Sequence, residues 1–174
     1  LRTSSAASDV YKRQPWKENE QLYNAAIVLH KGKVFHRHLK NTLPNYGVFD
    51  EKRIFAAGNE SSLFEIKGNK IALFICEEIW DSETYKKVEG KDCDLVVTIN
   101  ASPFEYKKIS QRENLAIELS KKINAPVIYV NQVGGQDEIV FDGSSFVADA
   151  NNSAVFAEII FKYVSSNMST SPLC

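Results

Sequence analysis

The 174-residue sequence has no apolar run longer than a strand, so no part of it can cross a bilayer as a helix. It has no block of like charge either: 21 Lys and Arg against 22 Asp and Glu leave a net charge of −1. That balance gives no electrostatic footprint for nucleic acid or an anionic membrane surface. Cysteine is scarce and odd in number. Cys76, Cys93 and Cys174 are irregularly spaced, with no CxxC pair, so neither a disulfide framework nor a zinc ribbon is expected, and a reducing cytoplasm is the expected compartment. His36 and His38 lie two apart and would share one face of a strand, but no further ligand nearby completes a metal set. Both are expected to be solvated strand residues. The chain has no internal repeat, no starting Met and no apolar core of a secretion signal. Residues 1–14 have no periodicity, look like translated adapter sequence, and are expected to lie outside the fold as a non-native or disordered leader. The Ser-rich residues 163–174 are expected to form an equally formless tail. The rest, residues 15–162, suffices for one domain with a proper core, expected to be a fragment of a longer protein.

Within those limits the pattern is α/β. Residues 23–30 and 34–39 read as strands joined by a hairpin at Lys31-Gly32-Lys33. Residues 40–49, broken by Pro44 and Gly47, read as a loop. A second hairpin, 62–66 and 70–75, turns at Lys67-Gly68-Asn69. A helix is expected over about 82–88, a buried strand over 94–100, and the longest helix over about 105–123, with Ile109, Leu115, Ile117 and Leu119 on its buried face. Residues 126–131 form another buried strand, followed by a loop over 132–138. A strand pair, 139–141 with 145–148, is expected around Asp142-Gly143, and residues 154–160 form a last strand. Such an order predicts a layered sheet with helices outside.

The polar residues that follow strands carry the chemistry. The apolar run 71–75 stops at Cys76, with Glu77, Glu78 and Trp80 close behind. A thiol at the carboxyl end of a buried strand sits where α/β proteins place their sites. If a helix starts near Glu77, its first N–H groups would favour a thiolate or an oxyanion. Cys76 could equally be a small buried hydrophobe. Lys40 directly follows a strand and could sit on the same rim, where an ammonium would lower the thiol pKa and stabilise a tetrahedral intermediate, or it could be a solvated lysine. Tyr46 could contact substrate or fill the core. Ser102 could bind a ligand or cap the helix that follows Pro103. Glu78 is read as part of an acidic first turn that complements the helix dipole.

These residues carry a resemblance. The run Lys40-Asn41-Thr42-Leu43-Pro44-Asn45-Tyr46-Gly47-Val48-Phe49-Asp50-Glu51-Lys52-Arg53 resembles the lysine-bearing segment of the glutaminase domain of glutamine-dependent NAD(+) synthetases, in the nitrilase (carbon–nitrogen hydrolase) superfamily. Ile75-Cys76-Glu77-Glu78-Ile79-Trp80 is similar to the family's nucleophile motif, in which the second acid is more usually Asp. Asn100-Ala101-Ser102-Pro103-Phe104 and the run Val133 to Gly143 resemble its later blocks. The resemblance covers about residues 23–160.

What the resemblance implies is an αββα sandwich, incomplete at the N-terminus, and a Glu-Lys-Cys triad. Cys76 would attack the side-chain amide of glutamine to form a thioester. Lys40 and the backbone N–H of Glu77 would hold the oxyanion. Tyr46 and Ser102 would bind the glutamine, with Lys108, or Arg112, as the basic substrate-binding position. The family's general-base glutamate precedes everything aligned, and Glu18 and Glu20 do not fill that role. The fragment is therefore expected to be inactive or nearly so. No cofactor is implied for this domain. ATP and Mg would serve only the synthetase domain of the parent chain, which uses the ammonia to amidate nicotinic acid adenine dinucleotide, and the intact protein is expected to be a homo-oligomer. The alternatives are a stand-alone amidase of the same superfamily and a non-catalytic sandwich module.

Overall fold

The structure is a computed structural model that describes residues 9–149 and 154–156. Strands β1 (Asp9–Glu18), β2 (Gln21–His30) and β3 (Lys33–Leu39) form an antiparallel sheet in the order β1-β2-β3. Its turns, Asn19-Glu20 and Lys31-Gly32, have both residues at positive φ, the I′ geometry whose twist matches the flanking strands. Strand β1 takes in residues 9–14, part of the leader expected to lie outside the fold. It pairs with β2 at ten positions, which satisfies the backbone groups on its inner side. Residues 1–8 and the expected tail lie outside the described residues.

The second sheet has six strands. β4 (Leu63–Ile66) and β5 (Asn69–Ile75) form a hairpin through Lys67-Gly68, again at positive φ. β5, β6 (Leu95–Asn100) and β7 (Val127–Asn131) run parallel at the centre, and β10 (Phe146–Ala148) and β11 (Ala154–Phe156) add antiparallel pairs beyond β7. The remaining hairpin differs from expectation. β9 (Ile139–Asp142) pairs with β8 (Val133–Gln136), which was read as loop, and not with β10. The chain turns away after β9 because Gly143 and Ser144 both take positive φ. A Cβ on Gly143 would also meet Val133 Cγ2 at 2.5 Å.

Side-chain alternation on β5 builds the two cores. Ile71, Leu73 and Ile75 point to the three-stranded sheet, where they share a cluster with Ala26 and Val28 of β2 and with Val97 of the neighbouring strand β6. Ala72 and Phe74 point the other way, into a cluster with Ala116, Leu119 and Ile123 of helix α2 (Lys108–Ile123). The layers are therefore helix, sheet, sheet. Burying each large aliphatic side chain here contributes roughly 1.5–3 kcal/mol. Helix α1 (Ser82–Tyr85) is a single turn, shorter than expected, capped by Asp81, which accepts from the N–H of Glu83. Helix α2 starts at Lys108, after a left-handed Lys107, so Ser102 does not cap it. The parallel centre places the carboxyl ends of β5, β6 and β7 on one side, which positions the site.

Candidate active site

Cys76 is the first residue past β5, buried at the start of a 3-10 turn, Cys76–Ile79, rather than of a longer helix. Its φ is 47°, in the left-handed region that a non-glycine residue occupies at a cost of about 1–3 kcal/mol. The fold thus holds a strained thiol at the strand end.

Lys40, just past β3, is 1% exposed. Its N–H donates to Asn24 O and its carbonyl accepts from Gly58 N, both at 2.8 Å. Gly58 permits this approach: a Cβ there would stand 2.3 Å from Leu39 O. The Lys40 ammonium donates to both carboxylate oxygens of Glu51, at 2.9 and 2.8 Å, and Asn24 Nδ2 donates to the same carboxylate at 3.2 Å. Glu51 is a site residue that the sequence reading passed over. In the run Asp50-Glu51-Lys52-Arg53 it looks like one of several solvated charges. Lys40 and Cys76 are not on adjacent strands, because β3 and β5 belong to different sheets. Their strand ends meet through one side chain, Glu78, whose carboxylate accepts from Asn41 N and from Ile75 N.

The join between them corrects two expectations. Glu78 is not a solvated first-turn acid but is fully buried, and its carboxylate accepts from Asn41 N and from Ile75 N, each at 2.7 Å. His38 is not solvated either. It is 2% exposed, and its Nε2 lies 3.0 and 2.8 Å from the two oxygens of Glu78. Packing two sheets face to face buried both groups, and an ionised carboxylate in that position needs donors. A second tie runs alongside: the Thr42 hydroxyl donates to Asp81, which holds that carboxyl below its usual range.

Tyr46 is exposed at the mouth, and its hydroxyl donates to Glu77 Oε1 at 2.8 Å. Partial desolvation, then this bond and the nearby Glu77 and Cys76 charges, push the Tyr46 hydroxyl up to about 12. Ser102 is buried past β6. Its N–H donates to Asn131 Oδ1 at 2.9 Å, and its side chain lies beside the Tyr129 hydroxyl. Tyr129, on β7, is pushed well above the usual phenol range by burial first and by the charge of Cys76 second. Tyr46, Ser102 and Tyr129 are thus gathered around the thiol. Tyr129 was not singled out from the sequence, where it reads as one more apolar strand residue.

The two basic candidates on α2 separate. Lys108 donates to Glu105 at 2.7 Å, a short-range pair at the helix start, and this arrangement gives it no link to Cys76. Arg112 is 1% exposed. It donates to both oxygens of Asp142 and to the carbonyls of Ser102 and Pro103, which makes it a strut beneath Ser102.

A cavity of about 490 Å³ opens beside this cluster between Asn24, Phe55, Asn100 and Asn131. Asn24 connects it to Glu51, but neither Lys40 nor Cys76 lines it. Among the described residues no group of three or more His, Cys, Asp or Glu side chains could hold a metal ion, and no helix is long and apolar enough to cross a membrane.

Comparison with known proteins gives this geometry a context. The family profile described as carbon-nitrogen hydrolase matches residues 6–158. The glutamine-dependent NAD(+) synthetase of Acinetobacter baylyi is 42% identical over 145 residues, 83% of this chain and 27% of that protein. That of Aquifex aeolicus is 42% identical over 127 residues, covering 72% of this chain and 22% of the relative. Among solved structures, the glutamine-dependent NAD+ synthetase of Acinetobacter baumannii superposes with a TM-score of 0.77 at 41% identity, over 86% of this chain and 28% of that one. A carbon-nitrogen hydrolase from Helicobacter pylori, at 22% identity and TM-score 0.76, shares the fold over 86% of this chain and 58% of its own. The chain spans less than a third of the length of the curated relatives it matches.

Proposed function

The chain belongs to the carbon–nitrogen hydrolase family, and from that premise we propose that it is the glutaminase part of a glutamine-dependent NAD(+) synthetase. The observation that carries the proposal is that Cys76, at a strand end with a left-handed backbone, and the buried Lys40, paired with Glu51, follow strand ends that the Glu78 carboxylate ties together. Cys76 Sγ adds to the carboxamide carbon of glutamine. The C–N bond breaks, and the nitrogen leaves as ammonia with the thiol proton. Water then adds to the thioester, the C–S bond breaks, and glutamate and the thiol are regenerated. A lysine ammonium has three donors, and Glu51 engages Lys40 through its two oxygens, so one N–H remains for the developing oxyanion. The Glu77 N–H supplies the second oxyanion donor. Tyr46 and Ser102 hold the substrate. Lys108, paired with Glu105, is the weakest of the assigned binding residues.

Glu51 is distinct from the general base that the family resemblance implies, since both its oxygens are committed to Lys40. The ammonia would pass to a synthetase domain, where ATP and Mg act on nicotinic acid adenine dinucleotide. This domain itself needs no cofactor for its steps, the working protein is a homo-oligomer, and its place is the cytoplasm. The relatives favour this reading over a stand-alone amidase, because they are glutamine-dependent NAD(+) synthetases.

The test is labelling of the full chain with an electrophilic glutamine analogue. Cys76 should react selectively, and free glutamine should protect it. Cys93 should stay silent: it is buried, its Sγ lies 3.0 Å from Leu95 O, and burial pushes its thiol up. Equal labelling of all three cysteines, or protection by simple amides as good as by glutamine, would overturn the assignment.

A further inference from the structure

One buried ionisable pair takes no part in the steps above. Glu78 and His38 lie at 0% and 2% exposure, and neither is placed to touch the substrate. What they touch is backbone. Glu78 Oε1 accepts from the N–H of Asn41, the residue after Lys40. Its Oε2 accepts from the N–H of Ile75, the residue before Cys76. One carboxylate therefore spans the two sheets at the point where each delivers a reacting group. We infer that Glu78, oriented by His38, is the positioning residue that sets Lys40 against Cys76, and this refines the site on which the proposed glutaminase function rests.

Two features argue for positioning over generic packing. The first is sequence distance. Asn41, in the loop just past β3, and Ile75, at the end of β5, are 34 residues apart, and no ladder bond connects β3 to β5. A short carboxylate that accepts from both N–H groups fixes their separation more tightly than apolar contacts would, because hydrogen bonds weaken steeply with distance and angle. The second is the role of His38. The Nε2 of His38 sits between the two oxygens at 3.0 and 2.8 Å, close enough to bond either one. It holds the carboxylate plane so that one oxygen faces each backbone. The other ring nitrogen, Nδ1, is buried with no hydrogen-bond partner among the described residues, so the ring is kept there for its Nε2 contact alone. His38 stands two residues before Lys40 on β3, and Glu78 two residues after Cys76. Each reacting residue is thus flanked by one half of the clamp.

The expected consequence concerns the reactivity of Cys76 rather than the existence of the fold. A misplacement of about 1 Å in a reacting pair can cost about 10²-fold, and partial loosening should cost about tenfold. The experiment measures the rate of Cys76 alkylation by iodoacetamide in the full chain, with Cys93 labelling and the melting temperature as controls for opening of the core. Glu78→Gln keeps the shape but turns an amide donor toward backbone N–H groups, so it should slow Cys76 about tenfold while Cys93 remains silent. Should Glu78→Gln open the core, which Cys93 labelling would reveal, the His38 variants decide the matter. His38→Leu should slow Cys76 about three- to tenfold, and His38→Gln, which keeps a donor of similar reach, should restore most of the rate. A Cys76 rate unchanged within twofold in His38→Leu, or a loss in His38→Gln as large as in His38→Leu, would overturn the inference. The glutamine-analogue arm is read separately. If wild-type Cys76 shows no preference for that analogue over iodoacetamide, the glutaminase reading fails while the clamp is still judged on iodoacetamide alone.

Discussion

Lys40 and Arg112, each 1% exposed, are the two long cationic side chains buried among the described residues, and they are used in opposite ways. The Lys40 ammonium rests on one carboxylate, that of Glu51, and its two bonds to that group use two of the three ammonium hydrogens. Arg112 spends its terminal nitrogens on Asp142 and two carbonyls, leaving only Nε without a partner among the described residues. A compact ammonium can redirect a donor as charge develops, whereas a planar fork locked on three acceptors cannot. Burial of charge is thus common to both regions and distinguishes neither. Remaining donor capacity is what separates Lys40 from Arg112.

The largest effect that would test this contrast is on stability. Arg112→Met should destabilise the fold by about 3–5 kcal/mol, because it strands Asp142 and the Ser102 and Pro103 carbonyls. Chemical denaturation would measure it. A loss below about 1 kcal/mol would mean that the strut is replaceable by water and that the comparison is wrong on its structural side.

The Lys40 side should behave differently. Lys40→Met alone should destabilise by about 3 kcal/mol, since it removes the cation that pairs with the buried Glu51 carboxylate. The double variant Lys40→Met with Glu51→Gln removes both charges and should recover most of that stability. Its selective labelling by a glutamine analogue should nonetheless stay about 10²-fold below wild type. Recovery of labelling together with stability would show that Lys40 is structural, like Arg112.

The sequence made one side of this comparison readable and concealed the other. Cys76 and Lys40 could be placed at strand ends, Cys76 because an apolar run stops at it and Lys40 because it directly follows a strand, which is local information. Glu51 could not, because its burial comes from Asn24, 27 residues away, and from Lys40, while its immediate neighbours are charged. His38 and Glu78 were misread for the same reason. A lone histidine on a strand and an acid in a first turn are ordinarily solvated, and only the packing of one sheet on the other removes the water. The fold class and most strands followed from alternation and turn chemistry. Strand β8 was missed because Gly134 and Gly135 interrupt the alternation that marks a strand.

The smallest predicted effect sharpens the comparison within one strand. His36 and His38 share a face of β3, yet His38 binds a carboxylate while His36 stacks on Phe64, at 4.7 Å between ring centroids. Burial first, then the neighbouring His38 and Arg37 charges, lower the His36 pKa from 6.5, with Glu60 opposing, and its Nε2 is buried without a partner among the described residues. The folded state therefore prefers the neutral ring. Between the lowered pKa and 6.5 the unfolded chain binds more protons, so stability rises with pH across that window. The contribution is fully present above about 6.5 and is lost as pH falls through the folded value. His36→Phe keeps a ring against Phe64 and removes the titration. Melting temperatures from pH 5 to pH 8 should therefore fall less steeply on acidification in His36→Phe than in wild type. Parallel slopes would mean that the ring charges without cost in the folded state, and that the stack on Phe64 does not desolvate it.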